Sequence, residues 1–410
     1  MVDSTTPCEA SNGYSVASSS SSCCSLGWVT FYICNQSTSS CISQREAMTQ
    51  LKRIDGLDGV RAFAVMLVFI SHVYIGIPIL LGQTWYRVFT RGGYLGVNGF
   101  FVMSGFLITY RLLGTAHQDG RFRWRQFYAH RAVRLFPGMF LVLAAHFVYA
   151  MIFDYPPLGV VADEWTMVRS TIFQYANWTI YKHPLLLIDN VSLWSLSIEG
   201  QFYVLWPAVA YVIFQKTKKP IFGLLILATG ITLLIFHRAF VFNDLGWYAA
   251  YLRSDTRVES LLLGAIGGFL WLKTDYIKAQ FVRVMSIPAT ICVILTVCYS
   301  SADGSYIWRG GMTLFDASVL VIVLALAAGV YPGRKLLMAG PVDWVGRISY
   351  GLYLWQIPIF RIIDRHGTTL SSGMRSVLAI GGCFGVSTLS WYALERPVMK
   401  SRWAKQLAGG

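Results

Sequence analysis

Residues 51–400 of this 410-residue chain predict an all-α, polytopic membrane protein with about ten transmembrane helices. Three observations lead there. Hydrophobic residues make up 55% of the chain and charged ones 13%, against about 25% charged in an ordinary soluble domain. Mean hydropathy is +0.51, too high for a water-facing surface of this size. Apolar runs near 20 residues recur along the chain, each long enough to cross the hydrocarbon layer as a helix.

The predicted spans run 58–81, 94–113, 135–153, 192–214, 221–237, 258–272, 284–300, 311–331, 344–363 and 376–394, the sixth short and Gly-rich. Between the third and fourth, 155–191 reads as a loop, with Pro156, Pro157, Asp163 and Glu164 near its start. With the N-terminus inside, inner segments hold 22 Lys and Arg, outer loops hold 11, and Arg61 within the first span completes the 34. That imbalance places both termini in the cytoplasm. Residues 1–50 are a Ser- and Cys-rich tail with no Lys or Arg before Arg45, which excludes a signal peptide of the usual design. The tail is expected to be disordered, or to be an extension upstream of the true start, and 401–410 forms a short cytoplasmic tail.

The charge of +14 does not signal nucleic acid, because the basic residues sit in short clusters between apolar runs rather than along one face. No Cys-x-x-Cys pairs with another at zinc spacing, so no metal is expected.

Ionisable side chains in lipid each cost at least about 2.5 kcal/mol unless satisfied, so each needs a reason. The first span carries Arg61 and His72, eleven residues apart. On a helix that puts them within about 20° of one face and about 16 Å apart along it. A snorkelling Arg and a His bonded to a neighbouring helix would be the structural explanation. The functional one has Arg61 holding an anion from the cytoplasm and His72 moving a proton or acting as nucleophile. A coenzyme A thioester fits, with phosphates at one end and its carbonyl well over ten ångströms away. Arg131 and Arg134, three apart at the edge of the third span, make a guanidinium fork suited to phosphate. In the fourth span Glu199 shares a helix face with Ser195 and Tyr203, and is expected to orient or charge the histidine, or to contact the acceptor. Small residues at Gly92, Gly96, Gly99, Ser104 and Gly105 permit close helix approach, or line a narrow channel for an extended arm.

Together these segments resemble the acyltransferase-3 family of integral membrane O-acyltransferases. The resemblance rests on Arg53-Ile-Asp-Gly-Leu-Asp-Gly-Val-Arg-Ala-Phe63 with His72, on Gly-Val-Asn-Gly-Phe-Phe-Val-Met-Ser-Gly-Phe-Leu over 96–107, and on Arg131-Ala-Val-Arg-Leu-Phe-Pro137. It continues in Trp194 to Pro207, more weakly in Arg257-Val-Glu-Ser-Leu-Leu-Leu-Gly264, and in Gly346-Arg-Ile-Ser-Tyr-Gly-Leu-Tyr-Leu-Trp355 and Leu394-Glu-Arg-Pro397. Asn98, Gly200 and Gln356 depart from it, standing where Asp, a second Glu and His are common.

The resemblance implies an O-acetyltransferase of the bacterial inner membrane, with His72 catalytic and Arg61, Arg131 and Arg134 holding the phosphates of acetyl-CoA or another acyl-CoA. The expected acceptor is a cell-surface glycan such as lipopolysaccharide O-antigen or exopolysaccharide, with the lipid bilayer and glycan-synthesis or export proteins as further partners. No hydrolase-like domain follows the tenth span, so the chain is expected to complete the transfer itself or pass the acyl group to a separate protein. The competing expectation is a secondary transporter or export partner, since intramembrane Arg, His and Glu also mark ion paths. Against it stands the lack of an internal repeat between the halves.

Overall fold

The computed structural model describes residues 54–76, 91–119, 122–153, 161–184, 192–216, 220–272 and 278–407. The tail expected over 1–50 lies outside them. Among the described residues every regular element is helical. The main ones are α1 (Leu57–Gly76), α2 (Leu95–Asp119), α3 (Trp124–Phe153), α4 (Val161–Ile172), α5 (Ala176–Lys182) and α6 (Leu193–Ala210). They continue as α7 (Pro220–Leu252), α8 (Ser254–Leu272), α9 (Ala279–Tyr299), α10 (Met312–Ala327), α11 (Gly340–His366) and α12 (Ser372–Ser390).

A helix stands at each of the ten expected positions. Seven of the described helices are long and apolar enough to cross a membrane. Those at the first, sixth and ninth expected spans are not among the seven; α1, α8 and α11 carry polar residues such as Arg61, Arg257 and Arg347 within or beside their apolar runs. Two corrections follow. The expected loop at 155–191 contains α4 and α5, whose Met167, Ser170, Ala176 and Ile180 are buried. Their apolar contacts, too few to read as a span, close two short helices against the bundle. The fifth span also runs past its expected end at 237, to Leu252, with a break at Gly246 (φ 82°).

The bundle is ordered by burial. The α2 span is 67% buried, whereas the α7 and α9 spans are 22% buried. On α7, Phe222, Ile226, Leu233, Phe236 and Phe240 face outward; on α9, Phe281, Ile287, Ile291 and Ile294 do so. Apolar side chains outside and polar ones inside is the arrangement that lipid demands. Close approach in the middle depends on glycine. A Cβ on Gly105 would lie 1.9 Å from Leu261 O, and one on Gly264 would lie 2.1 Å from Val102 O. At that separation α2 and α8 meet backbone to backbone. This is the packing role read for the small residues of 92–105.

Around that contact lies a sealed polar network. Arg257 donates to Asn98 Oδ1 at 2.7 Å, and Asn98 Nδ2 donates to Asp316 Oδ1 at 3.0 Å. Ser260 Oγ donates to Asp316 Oδ2 at 2.6 Å. Arg238 pairs with Glu259 and donates from Nε to Trp308 O at 3.0 Å. The Arg257 guanidinium also lies over the rings of Phe101, Trp194 and Tyr251, at 5.7, 5.6 and 5.2 Å. Two guanidiniums and two carboxylates thus join α2, α7, α8 and α10 with their charges balanced.

Asn98 explains its own departure from the family pattern. It accepts from a cation and donates to a carboxylate, and an Asp there would set two carboxylates face to face. Removing one partner should leave a buried charge uncompensated. Asp316→Ala is expected to lower stability by roughly 3–5 kcal/mol, read as a fall in the midpoint of thermal unfolding in detergent. An unchanged midpoint would show that the network does not hold these helices.

Candidate active site

A pocket of about 740 Å³, partly open to solvent, lies between α1, α2, α3, α6 and α11. Its mouth holds Arg61, Arg131 and Arg134, and its deeper wall Ser104, Glu199, Ser195 and Tyr353. Four of the five residues singled out from the sequence therefore line one cavity. Arg131 and Arg134 stand one turn apart on α3, which runs from Trp124. Arg61 stands within electrostatic range of Arg134, Arg111 and Arg131, and pairs with Asp58 one turn back at 3.1 Å. The four guanidiniums face Asp58, Glu199 and Glu395, one carboxylate fewer, which leaves the mouth net positive.

Glu199 is held from two sides. Ser104 Oγ donates to its Oε1 at 2.7 Å and the Tyr203 hydroxyl to its Oε2 at 2.9 Å. The Arg131 guanidinium lies 5.1 Å from the Tyr203 ring centroid, which ties the fork to the carboxylate through one aromatic ring. Ser195, one turn before Glu199, shares a 2.6 Å hydrogen bond with the Tyr353 hydroxyl. Tyr350 donates to Leu135 O at 2.7 Å and fixes α11 against α3.

His72 lies elsewhere. It is not among the residues lining this pocket, and its polar neighbour is Gln356 rather than Glu199. Gln356 is fully buried and donates to Tyr353 O at 3.1 Å, so the histidine sits beside the helix turn that follows the pocket's deep end. His72 Nδ1 and Gln356 Oε1 are both buried without a hydrogen bond. The two side chains nevertheless lie within hydrogen-bonding reach of each other. At Gly200, a third departure from the family pattern, a Cβ would lie 2.1 Å from Gln174 Oε1, so the Gln174 side chain takes that space.

Tyr353 and Ser349 were not singled out from the sequence, although both stand in the quoted motif at 346–355. Asp316, Arg238 and Glu259 were missed as well, and an acid inside the apolar run 311–331 was the available signal.

The fold and pocket define a multi-helix membrane protein with a cationic mouth leading to a buried carboxylate and paired hydroxyls. The chain belongs to the acyltransferase-3 family: the family profile described as "Acyltransferase domain" matches residues 54–395. It is similar to the peptidoglycan O-acetyltransferase OatA of Listeria monocytogenes, 28% identical over 376 residues, covering 87% of this chain and 58% of that one. It is similar also to the O-acetyltransferase OatA of Staphylococcus aureus, 30% identical over 341 residues, covering 78% of this chain and 53% of that one. The chain thus spans about half the length of the curated relatives it matches. No solved structure matches it.

Ser104 and Tyr203 should be coupled through Glu199. Ser104→Ala and Tyr203→Phe are each expected to cost about 1–3 kcal/mol of stability by leaving a buried carboxylate oxygen unpartnered. Their double-mutant cycle should be non-additive. Additive losses would mean that the two hydroxyls do not share the carboxylate.

Proposed function

We propose that this chain transfers an acetyl group from acetyl-CoA to a hydroxyl of a cell-surface glycan. The observation that carries the reading is the pocket itself. Guanidiniums crowd one end, and a polar wall of Ser104, Glu199, Ser195 and Tyr353 runs inward from them. Phosphates suit the first and an extended thioester arm the second. Arg61, Arg131 and Arg134 hold the phosphates, and the arm passes Glu199 towards Tyr353 and His72. There the acceptor hydroxyl attacks the thioester carbonyl and gives its proton to the His72 imidazole. The new C–O bond forms as the C–S bond breaks, and the coenzyme A thiolate leaves and is protonated. A transient acyl-imidazole is the second route, and trapping acylated His72 without acceptor would favour it. Glu199, hydrogen-bonded to Ser104 and Tyr203, keeps the fork and the pocket wall in register rather than orienting the histidine.

The Listeria relative's name specifies peptidoglycan, which favours that glycan as acceptor. O-antigen and exopolysaccharide rest on the family resemblance alone. We place the chain in the bacterial inner membrane with ten crossings and both termini in the cytoplasm, so that the arginine mouth faces the coenzyme pool. Helices at all ten expected positions support this. Cysteine-accessibility labelling should mark positions near Arg123 only from the cytoplasmic side. Labelling there from outside alone would invert the topology.

The donor site has a sharper test. Replacing both Arg131 and Arg134 by Ala should raise the apparent Michaelis constant for acetyl-CoA at least tenfold, because a hydrogen bond to a charged group contributes roughly 1.5–3 kcal/mol. Lys at both positions should restore it only partly, the bidentate fork being lost. Normal acetyl-CoA binding by the Ala variant would put the phosphates elsewhere. His72→Ala and His72→Gln should insert and fold yet lose transfer. An inserted His72→Ala protein with near wild-type turnover would remove the histidine from the reaction. A transporter would form no acetylated product with either protein.

A further inference from the structure

Phe100, Ser104 and Leu107 of α2 line the donor pocket, and Arg111 follows them at the next step of the same stripe. At 100° per residue the four side chains fall within about 60° of one another. Arg111 stands about 6 Å beyond Leu107 along the axis, and about 10 Å beyond Ser104, which meets Glu199. Its guanidinium is within electrostatic range of Arg134, Arg61 and Arg131, so this end of α2 lies at the mouth. Unlike those three it does not line the pocket, and it is exposed where they are half-buried. Asp58 pairs with Arg61, and among the described residues no carboxylate pairs with Arg111. Guanidiniums from three helices thus converge in two tiers, three at the mouth and one a turn outside it.

We propose that Arg111 binds the ribose 3′-phosphate of the acyl donor, and so makes the protein selective for coenzyme A over its 3′-dephospho form. The inference rests on the acetyl-transfer reading above and adds which phosphate each tier takes. Coenzyme A carries its charges in a fixed order. From the thiol, the pantetheine arm leads to a diphosphate, and the 3′-phosphate lies beyond it on the ribose. With the arm against Glu199 and the diphosphate at Arg61, Arg131 and Arg134, the 3′-phosphate falls outside the mouth, at the level of Arg111. A phosphate monoester carries about −1.5 to −2 charge at neutral pH, and a guanidinium meets its oxygens in pairs. An arginine that only snorkels to headgroups has no need to continue the pocket's stripe, or to stand among three other cations whose repulsion an anion relieves.

Binding tests this without turnover and without a known acceptor. The full chain in nanodiscs of neutral lipid is titrated calorimetrically with coenzyme A and with 3′-dephospho-coenzyme A, which differ in that phosphate alone. Wild-type protein should bind coenzyme A at least about tenfold tighter. Arg111→Gln should remove the preference by weakening coenzyme A alone, with dephospho-coenzyme A bound as in wild type. Arg111→Lys should keep part of the preference. Arg134→Gln, by contrast, should weaken both nucleotides alike. Because Arg111 is exposed and makes no ion pair, Arg111→Gln should keep the wild-type midpoint of thermal unfolding; a lowered midpoint would assign the residue to the fold and overturn the proposal. Equal weakening of both nucleotides by Arg111→Gln, or no weakening of either, overturns it, as does a wild-type protein that does not discriminate. So does an effect seen only when phosphatidylglycerol is added to the nanodiscs, which would make Arg111 a lipid-headgroup contact. Failure of wild-type protein to bind either nucleotide would instead overturn the donor reading on which the inference rests.

Discussion

A carboxylate held inside an apolar bundle must be given partners, and in this chain the placing of Glu199 governs the pocket around it. Lipid supplies no hydrogen bonds, so every polar atom there has to be met by another helix. Ser104 of α2 and Tyr203 of α6 meet the two oxygens of Glu199, and the Tyr203 ring lies beneath Arg131 of α3. Three helices are thereby tied at one level of the membrane. The wall they form can be polar without collapsing, because its hydrogen bonds are made before any ligand arrives.

The same constraint explains why the chain has two polar cores rather than one. The network of Arg257, Asn98, Asp316, Arg238 and Glu259 is sealed, charge-balanced and largely hydrogen-bonded, and it serves to fasten helices. The pocket at Glu199 is partly open to solvent and lined by three arginines, and His72 and Gln356 stand beside each other just beyond it. The contrast separates the part of the polar interior that holds the fold from the part available for chemistry.

Much of this was legible in the sequence because membrane helices are written in long apolar runs and their interruptions are conspicuous. Arg61, Arg131, Arg134 and Glu199 stood out as charges beside or within apolar helices, and the structure gathers them around one cavity. His72 stood out for the same reason, but helical periodicity says only that it shares a face with Arg61. It could not say that Gln356 would lie beside it, or that Ser104 would meet one oxygen of Glu199. Those are contacts between segments 95 to nearly 300 residues apart, which no local pattern encodes. The short helices α4 and α5 were missed because they lack the long periodic face that reveals a span. Asp316 was missed because a single acid in a strongly apolar run is easily passed over, although it should have raised the same question as Glu199.

The central claim is that the arginine-mouthed cavity holds the acyl donor along its length. The most direct measurement is a cryo-electron-microscopy structure of the full chain with a non-hydrolysable acetyl-CoA analogue. The account predicts phosphate density against Arg61, Arg131 and Arg134, with the acyl arm running past Glu199 to the Ser195–Tyr353 pair. Phosphates bound away from these arginines, or an arm that never enters the cavity, would contradict it.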